Sequence, residues 1–272
     1  MAPTLAQVLD ITESLWPAAG AEGWDASGLV SGDRNALVQH IHLTVDAVID
    51  TIDEAIELGA DLVIAHHPLL LRGVTSVAED RYKGAVIARL IRADCALLAA
   101  HTNADVVETG TSATLAARLG LTNLRPIVPG SSPDVGIGRI GQLPEPTTLG
   151  RLARELGDIL PPTAGGVLAS GSYDAPVSTV ALCAGAGDSL LGDPGVLAAD
   201  VYITSDLRHH PASELRENAR IAGSPALIDV SHWASEWLWL EKAAAQLGAA
   251  LEGVTITISE LRTDPWDFAI VQ

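Results

Sequence analysis

The sequence predicts an α/β fold of two lobes, each a mostly parallel or mixed sheet flanked by helices. Three observations predict it. Strand-like and helix-like runs alternate once between residues 41 and 105 and again between 178 and 259, the pattern of sheets covered by helices. A stretch dense in Pro, Gly and Ser (125–150) separates the two alternations. The chain has 272 residues, 48% hydrophobic and 18% charged, which suits one large or two small globular domains and excludes a disordered chain. The expected lobes are 1–124 and 125–272, with the C-terminal helix and strand packing back on the first.

In chain order, 4–16 (TLAQVLDITESLW) repeats apolar residues at helical spacing, with Thr4 as cap and Pro17 and Gly20 as stop. WDASGLVSGD reads as a turn-rich patch. IHLTVD (41–46) is a strand, AVIDTIDEAIELG (47–59) a helix and DLVIAHHP (61–68) a strand running into Pro68. GAVIARLIRAD (84–94) is a helix, CALLAAHTNAD (95–105) a strand with its outgoing loop, and 111–119 a helix. Residues 125–150 read as a linker or as short strands. LGRLARELGDIL (149–160) is a helix and PPTAGG a turn. STVALCAG (178–185) is a strand leading into a Gly-rich turn. DVYITSD (200–206), ALIDVSH (226–232) and VTITIS (254–259) are strands; PASELRENARIAG (211–223) and SEWLWLEKAAAQLG (235–248) are helices.

Composition narrows the partners. Lys and Arg total 16 against 34 Asp and Glu, a formal charge of −18. Such a chain is poorly suited to nucleic acid or to an anionic membrane surface. Two cysteines, Cys95 and Cys183, lie in apolar runs and read as buried free thiols in a reducing compartment, so a cytoplasmic protein is expected. No apolar stretch reaches the ~18 residues of a membrane span, and the N-terminus lacks the basic and apolar regions of a secretory signal.

The polar residues gather where strands end. The strands end in Asp46, in His66-His67, in His101 with Asp105 beyond, in Ser205-Asp206 with His210 beyond, and in Ser231-His232 with Glu236 beyond. Ligands of open α/β sheets bind outside the carboxyl ends of strands. Each motif alone has an ordinary reading: a polar turn, a helix cap, or a surface pair at i, i+4 for His232 and Glu236. Asp206 and His210 read as a proton-transfer pair or as support for a metal site. Trp24-Asp25 reads as a turn with a weaker substrate-edge role, and Gly185-Ala-Gly187-Asp188 as a Gly turn far short of a phosphate fingerprint. Together, three imidazoles (His66, His67, His232) and two carboxylates (Asp105, Glu236) are enough for one metal, or for two if a carboxylate bridges. Nitrogen and oxygen donors leave Zn, Fe, Mn, Ni and Co open.

These motifs, in this order, resemble the GTP cyclohydrolase 1 type 2 homologue family, also described as dinuclear-metal-centre hexameric proteins. The likeness covers nearly the whole chain: WDASGL (24–29), TVDA (44–47), AHHPLL (65–70), HTNAD (101–105), AGAG (184–187), TSDLRHH (204–210) and SHWASE (231–236). Ala26, Ser205 and Ser231 stand where the family pattern has Asn, Gly and Gly, and its Gly-Gly-x-Gly turn is altered in AGAG. The resemblance implies two divalent ions per subunit, lying between the lobes. His66 and Asp105 would hold one ion and His67 and His232 the other, with Glu236 bridging. Asp206, His210 and His101 would line the same cavity as catalytic groups. It implies a homohexamer, a trimer of dimers, acting on a small molecule of nucleotide type. The implied reaction opens the imidazole ring of GTP with a metal-bridging hydroxide; Arg208, Arg72 and Lys83 are the nearest basic residues for a triphosphate. A phosphoesterase or other metal hydrolase, and a non-catalytic metal-binding scaffold, are the alternatives.

Overall fold

The computed structural model describes residues 2–223 and 225–270. Thr4 caps α1 (Leu5–Leu15) through a reciprocal bond with Gln7, and Leu5 and Val8 turn one face inward. The chain continues through β1 (Gly28–Ser31), β2 (His40–Thr44), α2 (Ile49–Glu57), β3 (Leu62–Ala65), α3 (Tyr82–Arg92), β4 (Ala96–Ala99), the single turn α4 (Thr102–Asp105) and α5 (Thr111–Arg118). Then come β5 (Thr122–Arg125), β6 (Val128–Pro129), β7 (Gly136–Ile137), β8 (Arg139–Thr148), α6 (Leu149–Ile159), β9 (Leu168–Ser170) and β10 (Pro176–Ala186). It ends with α7 (Pro194–Leu197), β11 (Val201–Ser205), α8 (His209–Ala222), β12 (Ala226–Val230), α9 (His232–Ala250) and β13 (Thr255–Ile258).

Two compact units result. The first comprises the chain up to Ala104 together with Leu240–Thr263; the second comprises Asp105–Trp239 and the residues after Thr263.

The sheet of the first unit has the order β1-β4-β3-β2-β13. β13, β2, β3 and β4 run parallel, and β1 closes one edge antiparallel to β4. β3 and β4 are buried along their whole length, which is why they read as unbroken apolar runs. Val63, Ala65 and Leu97 pack against Ile52 and Ala55 of α2 and Val86 and Leu90 of α3. Thr44, Ala65 and Ala99 are partners across β2, β3 and β4. Asp46, His66, His67 and His101 therefore all emerge from one edge of this sheet.

His40 and His42, the two histidines away from that edge, tie β13 to β2. The Thr257 hydroxyl lies 2.8 Å from a ring nitrogen of each. The other His42 nitrogen meets Glu54 at 3.1 Å, and Glu54 in turn accepts from the Ser259 hydroxyl at 2.5 Å.

In the second unit the order is β5-β8-β10-β11-β12-β9, with the parallel set β10, β11 and β12 at its centre. Its core joins Ala181 and Cys183 of β10, Tyr202 of β11, Leu215 of α8 and Leu227 of β12.

The structure corrects or decides four local expectations. The patch 24–33 contains a true strand, β1, whose four half-buried residues and Gly28 at φ 120° hid it. Of the two readings open for 125–150, strands hold for much of it: β6, β7 and β8 lie there before α6 begins at Leu149; β8 pairs with β5 and β10, and Pro144 and Pro146 fall where the register with β10 shifts. β9, unforeseen, pairs with β12. Gly185, read both as the last residue of the strand 178–185 and as the first of a Gly turn, lies within β10, at a register shift between Leu182 and Ala186.

Candidate metal centre

In the first unit three histidines come together: the ring nitrogens of His66, His67 and His101 include one from each within 4.8 Å of the others. The strand ends place them, and hydrogen bonds orient them. His66 is fully buried, and its Nδ1 donates to the carbonyl of Ala100 at 2.8 Å. His67 Nδ1 donates to Asp46 Oδ1 at 2.7 Å. His101 Nδ1 donates to Asp25 Oδ1, also at 2.7 Å. A carbonyl or carboxylate acceptor fixes the proton on Nδ1, so Nε2 is the nitrogen able to bind a metal.

Asp46 is itself held. Its main-chain carbonyl accepts from the hydroxyls of Thr44 and Thr51, and its Oδ2 accepts from Thr263 Oγ1 at 2.5 Å. Asp25 accepts from Ser27 Oγ at 2.7 Å, from Thr102 N at 3.1 Å and from Thr102 Oγ1 at 2.5 Å. Burial of Asp25 would raise its carboxyl, but the Thr102, His101 and Ser27 bonds outweigh that and hold it far below the usual carboxylate range. Trp24, largely exposed, sets its ring edge-on to His101 at 5.8 Å.

In the second unit α9 begins at His232, so His232 and Glu236 share one face. His232 Nε2 lies 3.0 Å from Glu236 Oε1, and its Nδ1 meets Asp206 Oδ2 at 2.7 Å. Asp206 takes this position from a left-handed backbone, φ 57°, just after β11. The helix starts one turn earlier than the sequence suggests because Ser231 caps it: its hydroxyl accepts from Ala234 N at 3.2 Å. Asp105, at the end of α4, accepts from the Thr111 hydroxyl. Asp105 and Glu236 bear on a common neighbour: burial pushes the Cys183 thiol up to about 12, and both charges push the same way.

Gly185, at φ 71°, makes the space. A Cβ there would sit 2.3 Å from Glu236 Oε1 and 3.2 Å from His232 Nε2. Its N–H donates to Ser235 Oγ at 3.0 Å, and Ser235 donates to the carbonyl of His232 at 2.8 Å. The AGAG segment thus serves close approach to α9, not phosphate binding. Burial lowers the His232 imidazole, but Glu236 and Asp206 overcome this and raise it well above its ordinary value. A proton thus balances carboxylate charge where a cation would serve equally. The donor types, the held Nδ1 atoms and the bare backbone at Gly185 all fit a divalent metal.

His210 is exposed in the first turn of α8, its ring against His209 at 5.3 Å. Arg208 pairs with Asp188 at 2.7 Å, and Arg72 is exposed. Sequence reasoning missed Thr263, Ser235, Thr102 and the spatial role of Gly185, and it undervalued Asp25. Asp25, Thr102, Gly185 and Ser235 all lie inside quoted motifs (WDASGL, HTNAD, AGAG and SHWASE), whereas Thr263 lies outside all of them and carried no signal.

Fold and site define an α/β protein with histidine–carboxylate donor sets suited to divalent metal ions. The chain belongs to the Duf34/NIF3 (NGG1p interacting factor 3) family, whose model matches residues 3–265. A Streptomyces coelicolor protein called GTP cyclohydrolase 1 type 2 homolog is 43% identical over 271 residues, covering 97% of this chain and 94% of the relative. A Mycobacterium leprae protein of the same name is 33% identical over 378 aligned positions, covering 98% and 96%. Among solved structures, the Staphylococcus aureus hypothetical protein SA1388 superposes with a TM-score of 0.87 at 25% identity, covering 99% of this chain and 100% of that one.

Proposed function

We propose that the protein is a hydrolase working through two divalent metal ions, with the imidazole ring of GTP as the group opened. His66, His67, Asp105, His232 and Glu236 would hold the ions. The observation that carries this reading is that four histidines present Nε2 with Nδ1 already bound to a carboxylate or carbonyl. That is the arrangement by which proteins prepare imidazoles for metals. The order of the five donors follows the family motif, and the name of the relatives supports the choice of GTP.

The ions would supply Lewis acidity and lower the pKa of a coordinated water towards ~7. The chain's own residues do the rest. Asp46 and Asp206 hold the rings of His67 and His232. His101, its tautomer set by Asp25, moves a proton at Nε2 towards the leaving nitrogen. Asp206 acts through His232, and His210 remains a candidate for substrate contact from the start of α8. We further propose a cytoplasmic homohexamer, a trimer of dimers, acting on a small molecule and engaging neither nucleic acid nor membrane. No helix among the described residues is long and apolar enough to cross a bilayer.

The test is formate release from GTP by rigorously purified, metal-loaded protein, run beside a panel of phosphodiesters. Metal-dependent formate release is expected. Phosphodiester cleavage without it would move the reading to a phosphoesterase. Bound metal with no turnover would move it to a metal-binding scaffold.

A further inference from the structure

One donor histidine of each unit, His67 in the first and His232 in the second, is supported by a residue of the C-terminal segment, and those two residues are neighbours in sequence. In the first unit, Thr263 Oγ1 donates to Asp46 Oδ2 at 2.5 Å, while Asp46 Oδ1 accepts from His67 Nδ1 at 2.7 Å. One carboxylate oxygen is thus occupied by Thr263, and the rotation that points the other at His67 is fixed. In the second unit, Ser231 Oγ donates to Asp264 Oδ2 at 2.5 Å. A hydroxyl has a single proton and two lone pairs. Giving the proton to Asp264 turns the lone pairs towards the Ala234 N–H that Ser231 caps. The capped helix opens on His232 and carries Glu236 one turn on. Asp264 is anchored in turn, its Oδ1 accepting from Trp266 N at 3.1 Å.

We propose that Thr263 and Asp264 are positioning residues of the metal centre, setting His67 through Asp46 and the start of α9 through Ser231. The inference rests on the metal reading above and extends it to a segment far from the ligand motifs. Ser231 stands where the resemblance has Gly, which has no side chain to cap with, and here its hydroxyl both caps α9 and bonds Asp264.

The test is Co2+ titration of the full chain followed by visible absorption, with circular dichroism as the check on folding. Removing an outer partner of a metal ligand weakens binding about 10- to 100-fold. T263V and D264A act one contact further out, so each should lose affinity by up to about 10-fold and shift the cobalt bands, and T263S should restore both. In an S231G background, D264A should add no further loss, because its route to α9 is already gone. A purely structural role would weaken D264A equally in both backgrounds and leave the bands in place, and that result would overturn the inference. Wild-type affinity and bands in T263V and D264A, with wild type binding Co2+ normally, would overturn it alone. Absence of Co2+ binding by wild type would overturn the metal reading and this inference with it.

Discussion

A Cβ on Gly185 would lie 2.3 Å from Oε1 of Glu236, too close for any side chain. β10 meets α9 here with bare backbone, and the carboxylate fills the space a methyl group would take. In G185A the positive φ of 71° alone costs roughly 1–2 kcal/mol. The clash adds to this by moving Glu236, a proposed bridging ligand. Thermal melts should show a lower midpoint, and metal content per chain should fall. Wild-type metal content in a folded G185A protein would contradict the role given to Glu236.

The Asp25–His101 pair separates proton transfer from metal binding. D25N replaces the carboxylate that fixes the His101 tautomer with a neutral amide, which has one acceptor oxygen instead of two and presents an NH2 in place of the other, and H101Q removes the ring. Loss of a positioned acid–base group costs ~10²–10⁴-fold in rate. Formate release should fall in that range in both variants while metal stoichiometry stays at the wild-type value. Loss of metal in H101Q would make His101 a ligand instead.

His42 gives the fold a pH dependence. Burial depresses its imidazole below the ordinary 6.5, and His40 adds to this, against the pull of Glu54. The unfolded chain therefore takes up a proton near 6.5 that the folded chain declines. This contribution to stability is whole above 6.5 and is lost as pH falls towards the depressed folded value. The gap between the melting midpoints of wild type and H42N should narrow from about pH 7.5 to about pH 5.5. A constant gap would show that the His42 imidazole takes up its proton as readily in the folded chain as in the unfolded one.

Both thiols should be silent. Burial pushes Cys95 and Cys183 up to about 12, assisted by the charge of Asp61 at the first and of Asp105 and Glu236 at the second. The thiolate is the reactive form. A disulfide reagent at mildly alkaline pH should modify neither until denaturant is added, when both react. Rapid labelling of the native protein would show an open path to one of them.

What was legible in the sequence follows from what local pattern encodes. β3 and β4 are short apolar runs covered on both faces, so each marks its own end, and the sequence alone puts His66, His67 and His101 there. The face shared by His232 and Glu236 was legible as i, i+4 spacing, conditional on where α9 starts. Ser231 decides that start, through a bond to Asp264, 33 residues away. Asp25 lies 76 residues from His101, and the constraint on Gly185 comes from α9, so no local window holds either fact. β1 escaped because its residues are half-buried and its opening glycine reads as a turn.

The most direct measurement is elemental analysis of the full chain purified without chelator, wild type beside H67A. About two divalent equivalents per wild-type chain, with a sharp fall in H67A, is the predicted result. A wild-type protein that retains no divalent metal even after incubation with Zn2+, Mn2+ or Fe2+, or an H67A protein that retains the full complement, would contradict it.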